Sequence, residues 1–248
     1  MTSQIEEECG PRTGHLQDGT TGRPLVVLLH GSGSSAGDWD AVRRRLDGRI
    51  ASLAPDRGTG PVRRRAVTAP ELAADLQALL DVYGRQPPYV LVGHSWGGAV
   101  ARAFAQSAPE DVAALVLVDA THESLATLRS HRFRLAQRLA AGAARLPVTG
   151  GRGLAALREV AGLRSSLDHL RPPTVPTWTL VGGRASTAWQ LLVRRDFAET
   201  YRRVALSGSV VRHRIVATAG HDVPTEAPDA VVATVMEALA FVEEGTER

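Results

Sequence analysis

The chain has no lysine, no asparagine, one cysteine, and aromatic residues at only 4% of its 248 positions. Each shortage excludes something. Without lysine, all 29 basic residues are arginine, and a Walker-type phosphate loop lacks its essential cation. Lysine and asparagine share A-rich codons, so their joint absence marks a GC-rich genome. The arginine content therefore reports codon bias before it reports a partner. Against 26 acidic residues it leaves a formal charge of only +3. The arginines are spread along the chain, with short clusters at Arg43–Arg45 and Arg63–Arg65. A nucleic-acid binder concentrates its charge in a stripe with interleaved aromatics, so no nucleic-acid partner is expected. Cys9, alone, can form no internal disulfide. No apolar run approaches the 18 or so residues of a membrane span. The first 22 residues are polar, acidic at Glu6, Glu7 and Glu8, and unlike a secretory signal. A cytoplasmic protein with no membrane partner is the expectation. With one cysteine, no H-E-x-x-H and no histidine pair at ligand spacing, neither a metal nor a cofactor is implied.

What is present is an ordinary globular composition, 44% hydrophobic and 22% charged, in a chain long enough to bury a sizeable core. Short apolar runs, wholly so at Leu25–Leu29, recur at Ile50–Ala54, Tyr89–Val92, Ala114–Val118 and Trp178–Val181, with a further strand expected over His213–Ala217. Such runs are too short for helices and suit strands covered on both faces. Between them lie helical patterns at Asp38–Leu46, Ala69–Tyr83, Gly97–Ser107, Ala188–Val204 and Pro228–Val242. Strands alternating with helices predict a doubly wound, mostly parallel sheet, class α/β. From about residue 123 to 173 the strand rhythm stops, and only helical fragments occur, broken by Pro147 and by the glycines at 150, 151 and 153. This stretch reads as a small helical lid. The organisation expected is a polar segment over 1–22 and one domain over 23–248, without repeats or low-complexity tracts.

Three motifs carry chemistry. Gly93-His94-Ser95-Trp96-Gly97 follows a predicted strand and opens a predicted helix. G-x-S-x-G alone is a common chance pattern, but at a sharp strand-to-helix turn it lifts a serine hydroxyl to the tip of the turn. His30-Gly31-Ser32-Gly33 follows the first buried strand. Its reading as a dinucleotide loop fails because Ala36 stands where the last glycine of G-x-G-x-x-G belongs. As an oxyanion loop it would contribute the Ser32 N–H, beside the Trp96 N–H that follows the nucleophile. His221, in Ala219-Gly220-His221-Asp222, follows the last strand and can supply the neutral imidazole that a serine nucleophile needs. His15, His131, His169 and His213 have no such context and read as surface or structural groups.

In order and spacing these motifs, together with Pro55-Asp56-Arg57-Gly58-Thr59-Gly60, resemble the α/β-hydrolase superfamily from about Leu25 to Val242. The resemblance implies the α/β-hydrolase fold, a Ser–His–acid triad, a lid inserted after strand 6 of the family, and a shortened N-terminal hairpin. Many members carry the acid after the seventh strand, but here that loop is Gly182-Gly183-Arg184-Ala185-Ser186-Thr187, with no carboxylate. A subset uses the end of the sixth strand, where this chain has Asp119. Asp119 is therefore the expected acid, with Glu123 next and Asp196 third; Asp222 reads as a loop acid. Family dehalogenases and epoxide hydrolases need a carboxylate at the elbow, and Ser95 argues against those chemistries.

The expected activity is a serine hydrolase cleaving a small carboxylic ester, thioester or lactone. Ser95 would be nucleophile, His221 base, Asp119 orienting acid, and Ser32 and Trp96 the oxyanion donors. Gly31, His122 and Glu123 would contact a small-molecule substrate. The lid arginines, from Arg129 to Arg164, read mainly as solvated surface, and their local charge would also draw an anionic substrate. Two alternatives stand beside this one: a lyase or acyl-transferring cyclase on the same scaffold, and a non-catalytic binding protein that keeps the pocket. Intact Ser95 and His221 weigh against the latter.

Overall fold

The computed structural model describes residues 14–17, 23–46, 49–57, 67–121, 162, 165–184 and 209–246. The strands are β1 (Gly14–Gln17), β2 (Leu25–Leu29), β3 (Ser52–Pro55), β4 (Tyr89–His94), β5 (Val112–Val118), β6 (Thr177–Gly182) and β7 (Val210–Val216), and the apolar runs of the sequence fall in β2 to β6. They form one sheet in the order β1-β3-β2-β4-β5-β6-β7. All neighbours pair in parallel except β1, which runs antiparallel to β3. The helices are α1 (Asp40–Leu46), α2 (Ala69–Val82), α3 (Trp96–Ser107), the short α4 (Val223–Glu226) and α5 (Pro228–Thr246).

Alternation along the strands divides the core. Leu25, Val27, Leu29, Tyr89 and Leu91 pack with α2 and α3 on one face. Val26, Leu28, Val90, Val92, Val116 and Val118 pack with α1 and α5 on the other. Both faces are covered, so β2, β3 and β4 are buried at every position, which suits their mostly apolar sequences. Helix α2 starts where Thr68 donates its backbone N–H to Glu71 Oε2 at 2.9 Å, one half of a capping box.

The chain leaves β2 toward β3 and comes back through α2 to β4 on the far side of β2. That reversal opens a crevice beyond the carboxyl ends of β2 and β4, where ligands of open α/β sheets bind. The loops after β2, β4, β5, β6 and β7 all emerge on this side.

Three sequence expectations need adjustment. Gly14–Gln17 falls in the 1–22 segment set outside the domain, yet it pairs with β3 residue by residue from Gly14↔Pro55 to Gln17↔Ser52. The last strand runs Val210–Val216 rather than 213–217. The strand ending at Val118, sixth in the family's count, is the fifth here. The lid from about 123 lies mostly outside the described residues; of its end, residues 165–169 are helical, and Leu167 and Leu170 are buried against the α2–α3 face. The helix expected over 188–204 lies outside as well. Among the described residues no helix is long and apolar enough to cross a membrane.

Candidate active site

Ser95 sits between the last residue of β4 and the first of α3, at φ 51° and ψ −118°. This left-handed backbone is costly for a non-glycine residue, about 1–3 kcal/mol, and it persists because the surroundings hold it. Ser95 N–H donates to the Val118 carbonyl at 3.1 Å, and the Ser95 carbonyl accepts from Gly98 N–H at 3.1 Å and Thr121 N–H at 2.9 Å. The turn also demands a glycine after it. A Cβ at Gly97 would lie 2.1 Å from the Leu29 carbonyl oxygen, so α3 can start this close to β2 only without a side chain there.

Asp119, directly after β5, is a second non-glycine residue with positive φ, 41°. Its N–H donates to the Leu180 carbonyl at 2.7 Å, which turns the side chain toward the crevice. Oδ1 accepts from Gly182 N–H at 3.3 Å. Oδ2 lies 2.6 Å from His221 Nδ1, and His221 Nε2 lies 3.1 Å from Ser95 Oγ. The carboxylate accepts, so Nδ1 carries the imidazole proton and Nε2 is left bare to accept from the serine hydroxyl. Burial alone would lower the His221 pKa. The hydrogen bond and charge of Asp119, with the charges of Asp222 and Glu226, outweigh it and hold the pKa above the ordinary 6.5.

The loop after β2 approaches the same point. A Cβ on Gly31 would lie 3.3 Å from Ser95 Cβ, so Gly31 borders the nucleophile. Gly33 has φ 74°, and Ser34 N–H closes the turn onto the Gly31 carbonyl at 3.4 Å. His30 and Arg57 hold this loop from behind. Arg57 N–H donates to His30 Nε2 at 3.1 Å, and Arg57 Nη2 donates to the Gly31 carbonyl at 3.0 Å. His30 Nδ1 donates to that carbonyl at 2.8 Å. Trp96, the first residue of α3, has a backbone N–H at the helix start, where no intrahelical acceptor exists.

A model of the alpha/beta hydrolase family matches residues 26–234. The chain belongs to that family. Over 126 residues it is 31% identical to mouse (Mus musculus) epoxide hydrolase 4, covering 49% of this chain and 35% of the relative. Over 109 residues it is 38% identical to lipase LipV of Mycobacterium tuberculosis, covering 42% of this chain and 41% of the relative. In both, more than half of the relative's length lies outside the match. Among solved structures, a thermophilic esterase from Thermogutta terrifontis superposes with a TM-score of 0.67 at 22% identity, over 93% of this chain and 94% of that one.

In this hydrolase-family chain, Ser95, His221 and Asp119 come together as the sequence reading expects, Gly31 borders Ser95, Trp96 follows it, and Ser32 follows Gly31 in the loop after β2. His122, Glu123 and Asp196 lie outside the described residues. Asp222 precedes α4 next to His221, and its charge is among those that raise the His221 pKa. Sequence reasoning passed over three contributors. In the sequence Arg57 is only part of a loop, Gly182 only part of a segment without a carboxylate, and His94 only the variable position of the pentapeptide. None has a spacing signal, because each works through a backbone atom of a distant segment.

Proposed function

We propose that this protein is a serine hydrolase that cleaves a small carboxylic ester, thioester or lactone through an acyl-enzyme on Ser95. The reading is carried by one observation, the unbroken hydrogen-bond relay from Asp119 Oδ2 through the His221 ring to Ser95 Oγ, at 2.6 and 3.1 Å. In this mechanism Ser95 Oγ attacks the substrate carbonyl as His221 Nε2 takes the hydroxyl proton. Asp119 fixes the imidazole tautomer and stabilises the imidazolium that forms. The N–H groups of Trp96 and Ser32 receive the oxyanion, a contribution of roughly 10²–10³ in rate per donor. The imidazolium then protonates the leaving alcohol or thiol. Water deprotonated by His221 attacks the acyl-enzyme, and the acid leaves with Ser95 restored.

Epoxide opening is the natural rival, given the name of one relative. The elbow residue here is an alcohol with a base at hydrogen-bond distance, and this favours acyl transfer. The test is labelling with a fluorophosphonate and turnover of short p-nitrophenyl esters, alongside styrene oxide. We expect labelling and ester turnover by the wild type and none of styrene oxide. Ser95→Ala should abolish labelling, and Ser95→Ala and His221→Ala should each lower kcat by on the order of 10⁶-fold, because the relay works as a unit. Wild-type protein that neither labels nor turns over an ester rules the proposal out.

A further inference from the structure

His94 ends β4 beside the nucleophile, and the relay just described makes no use of its ring. The ring is 4% exposed, and its centroid lies 4.8 Å from that of His221. Its Nε2 is 2.9 Å from the His221 carbonyl oxygen. A carbonyl can only accept, so Nε2 carries the proton and donates. Nδ1 of the neutral ring is then a bare lone pair, buried without a hydrogen-bond partner. On that side the neighbour is Gly31, whose added Cβ would come within 3.1 Å of Nδ1. A second ring proton would enter this packed space with no acceptor. The charged or titratable groups facing the ring are His221, Asp119 and Arg57. Burial dominates them and lowers the His94 pKa to about 4.

His221 sits in the loop between β7 and α4. Its carbonyl also accepts from Val223 N–H at 2.9 Å, a contact two residues along the same loop. The bond from His94 comes instead from the turn that carries Ser95, and so links the base's backbone to the nucleophile's backbone. We infer that His94 is a positioning residue for the base: its Nε2–H, donated to the His221 carbonyl, sets the His221 imidazole against Ser95 Oγ, and its neutral ring places no second cation beside the imidazolium formed in acyl transfer. The catalytic part of this inference rests on the serine-hydrolase reading; the hydrogen bond and tautomer do not.

Two variants separate positioning from packing. His94→Phe fills the space without a donor, and His94→Gln offers an amide N–H near Nε2. With a p-nitrophenyl ester, H94F should lose about 10- to 100-fold in kcat with KM within about twofold of wild type, the scale of a misplaced catalytic group. The acid limb of its kcat/KM profile should shift down, toward the ordinary histidine value, as His221 loosens from Asp119. H94Q should recover most of kcat and keep the wild-type limb. Equal losses in H94F and H94Q, or an unmoved limb in H94F, overturn the inference. A readout that needs no variant and no turnover covers the case where H94F fails to fold. ¹⁵N-histidine spectra of the wild type should show His94 as the Nε2–H tautomer without titration from about pH 8 to about pH 5, below the usual histidine range. An Nδ1–H tautomer, or titration of His94 near the ordinary value, overturns it. If the wild type neither labels with fluorophosphonate nor turns over ester, the hydrolase reading fails, and the spectra still decide the bond.

Discussion

At the scale of single residues, Asp119 carries two tasks that asparagine separates. As a carboxylate it accepts at both oxygens, from His221 Nδ1 and from Gly182 N–H, and its charge counters the burial of the imidazole. Asp119→Asn keeps the size and loses the charge. An amide NH₂ facing Nδ1 also favours the tautomer whose Nε2 already holds a proton and cannot accept from Ser95. We expect kcat to fall by about 10⁴-fold, the scale of such a tautomer error. The pH profile gives an independent check. In the proposed mechanism the base is neutral His221, and its pKa is raised, so kcat/KM of the wild type should fall as pH drops through a value above 6.5. In D119N that midpoint should move downward, because burial remains and the largest opposing contributions are gone. A pH–rate profile of both proteins tests the shift, and an unmoved midpoint would show that Asp119 is not the partner. That Asp119 lies against His221 is legible in the sequence through the family resemblance, by chain order and by the loop after the next strand, which has no carboxylate. The compensating role of that loop is not, because it rests on a backbone N–H.

At the scale of elements, the loop after β6 lacks a carboxylate and instead works as a docking surface. Gly183 N–H donates to the Val216 carbonyl and Arg184 N–H to the Ala219 carbonyl, both at 2.7 Å. Gly220 N–H donates to Glu226 Oε2 at 2.9 Å. The loops bearing acid contact and base thus lie flat against each other, and a Cβ on Gly182 would fall 1.8 Å from the Gly220 carbonyl oxygen. Since that neighbour is backbone, Gly182→Ala must shift one loop or the other. Overpacking of this kind costs about 1–3 kcal/mol, or a Tm lower by roughly 2–12 °C in a chain this long. Activity should fall as well, since the displaced loop carries the donor to Asp119. Gly245→Ala is the control, because nothing lies within 4 Å of its added Cβ, and calorimetry should find it close to wild type.

The legibility of elements follows the same physics of burial. β2, β4 and β5 are covered on both faces and announce themselves as apolar runs. β1 is four residues, Gly-His-Leu-Gln, held by backbone pairing to β3 at the sheet's edge, and leaves no pattern to read. β7 is the opposite edge. Its Arg212 and Arg214 point to one face and share Glu237 of α5 at 2.8 and 2.6 Å, so ion pairs replace the apolar alternation that would have marked the strand's start.

At the scale of the whole molecule, the two site histidines couple folding to pH with opposite signs and in separate windows. His221 has a folded pKa above 6.5. The folded state therefore binds that proton more tightly than the unfolded chain, and the resulting stability is present below 6.5 and lost as pH rises through the folded value. His94 has a folded pKa near 4. Below 6.5 the unfolded chain takes up a proton that the folded chain refuses, so stability is complete above 6.5 and drains away as pH falls toward 4. The slope from one such group approaches about 1.4 kcal/mol per pH unit in the middle of that window. Carboxylates contribute their own slope to any acid titration, so the comparison must remove His94 alone. His94→Gln does this, since its amide does not titrate and still offers a donor to the His221 carbonyl. Urea unfolding between about pH 6.5 and pH 4.5 should show the wild type losing stability faster than H94Q by about 1 kcal/mol per pH unit. Above pH 6.5 the two proteins should run parallel, because both retain His221. Parallel curves across the acid range would mean that His94 takes up its proton in the folded state as readily as in the unfolded one, and that the space around Nδ1 is open to water.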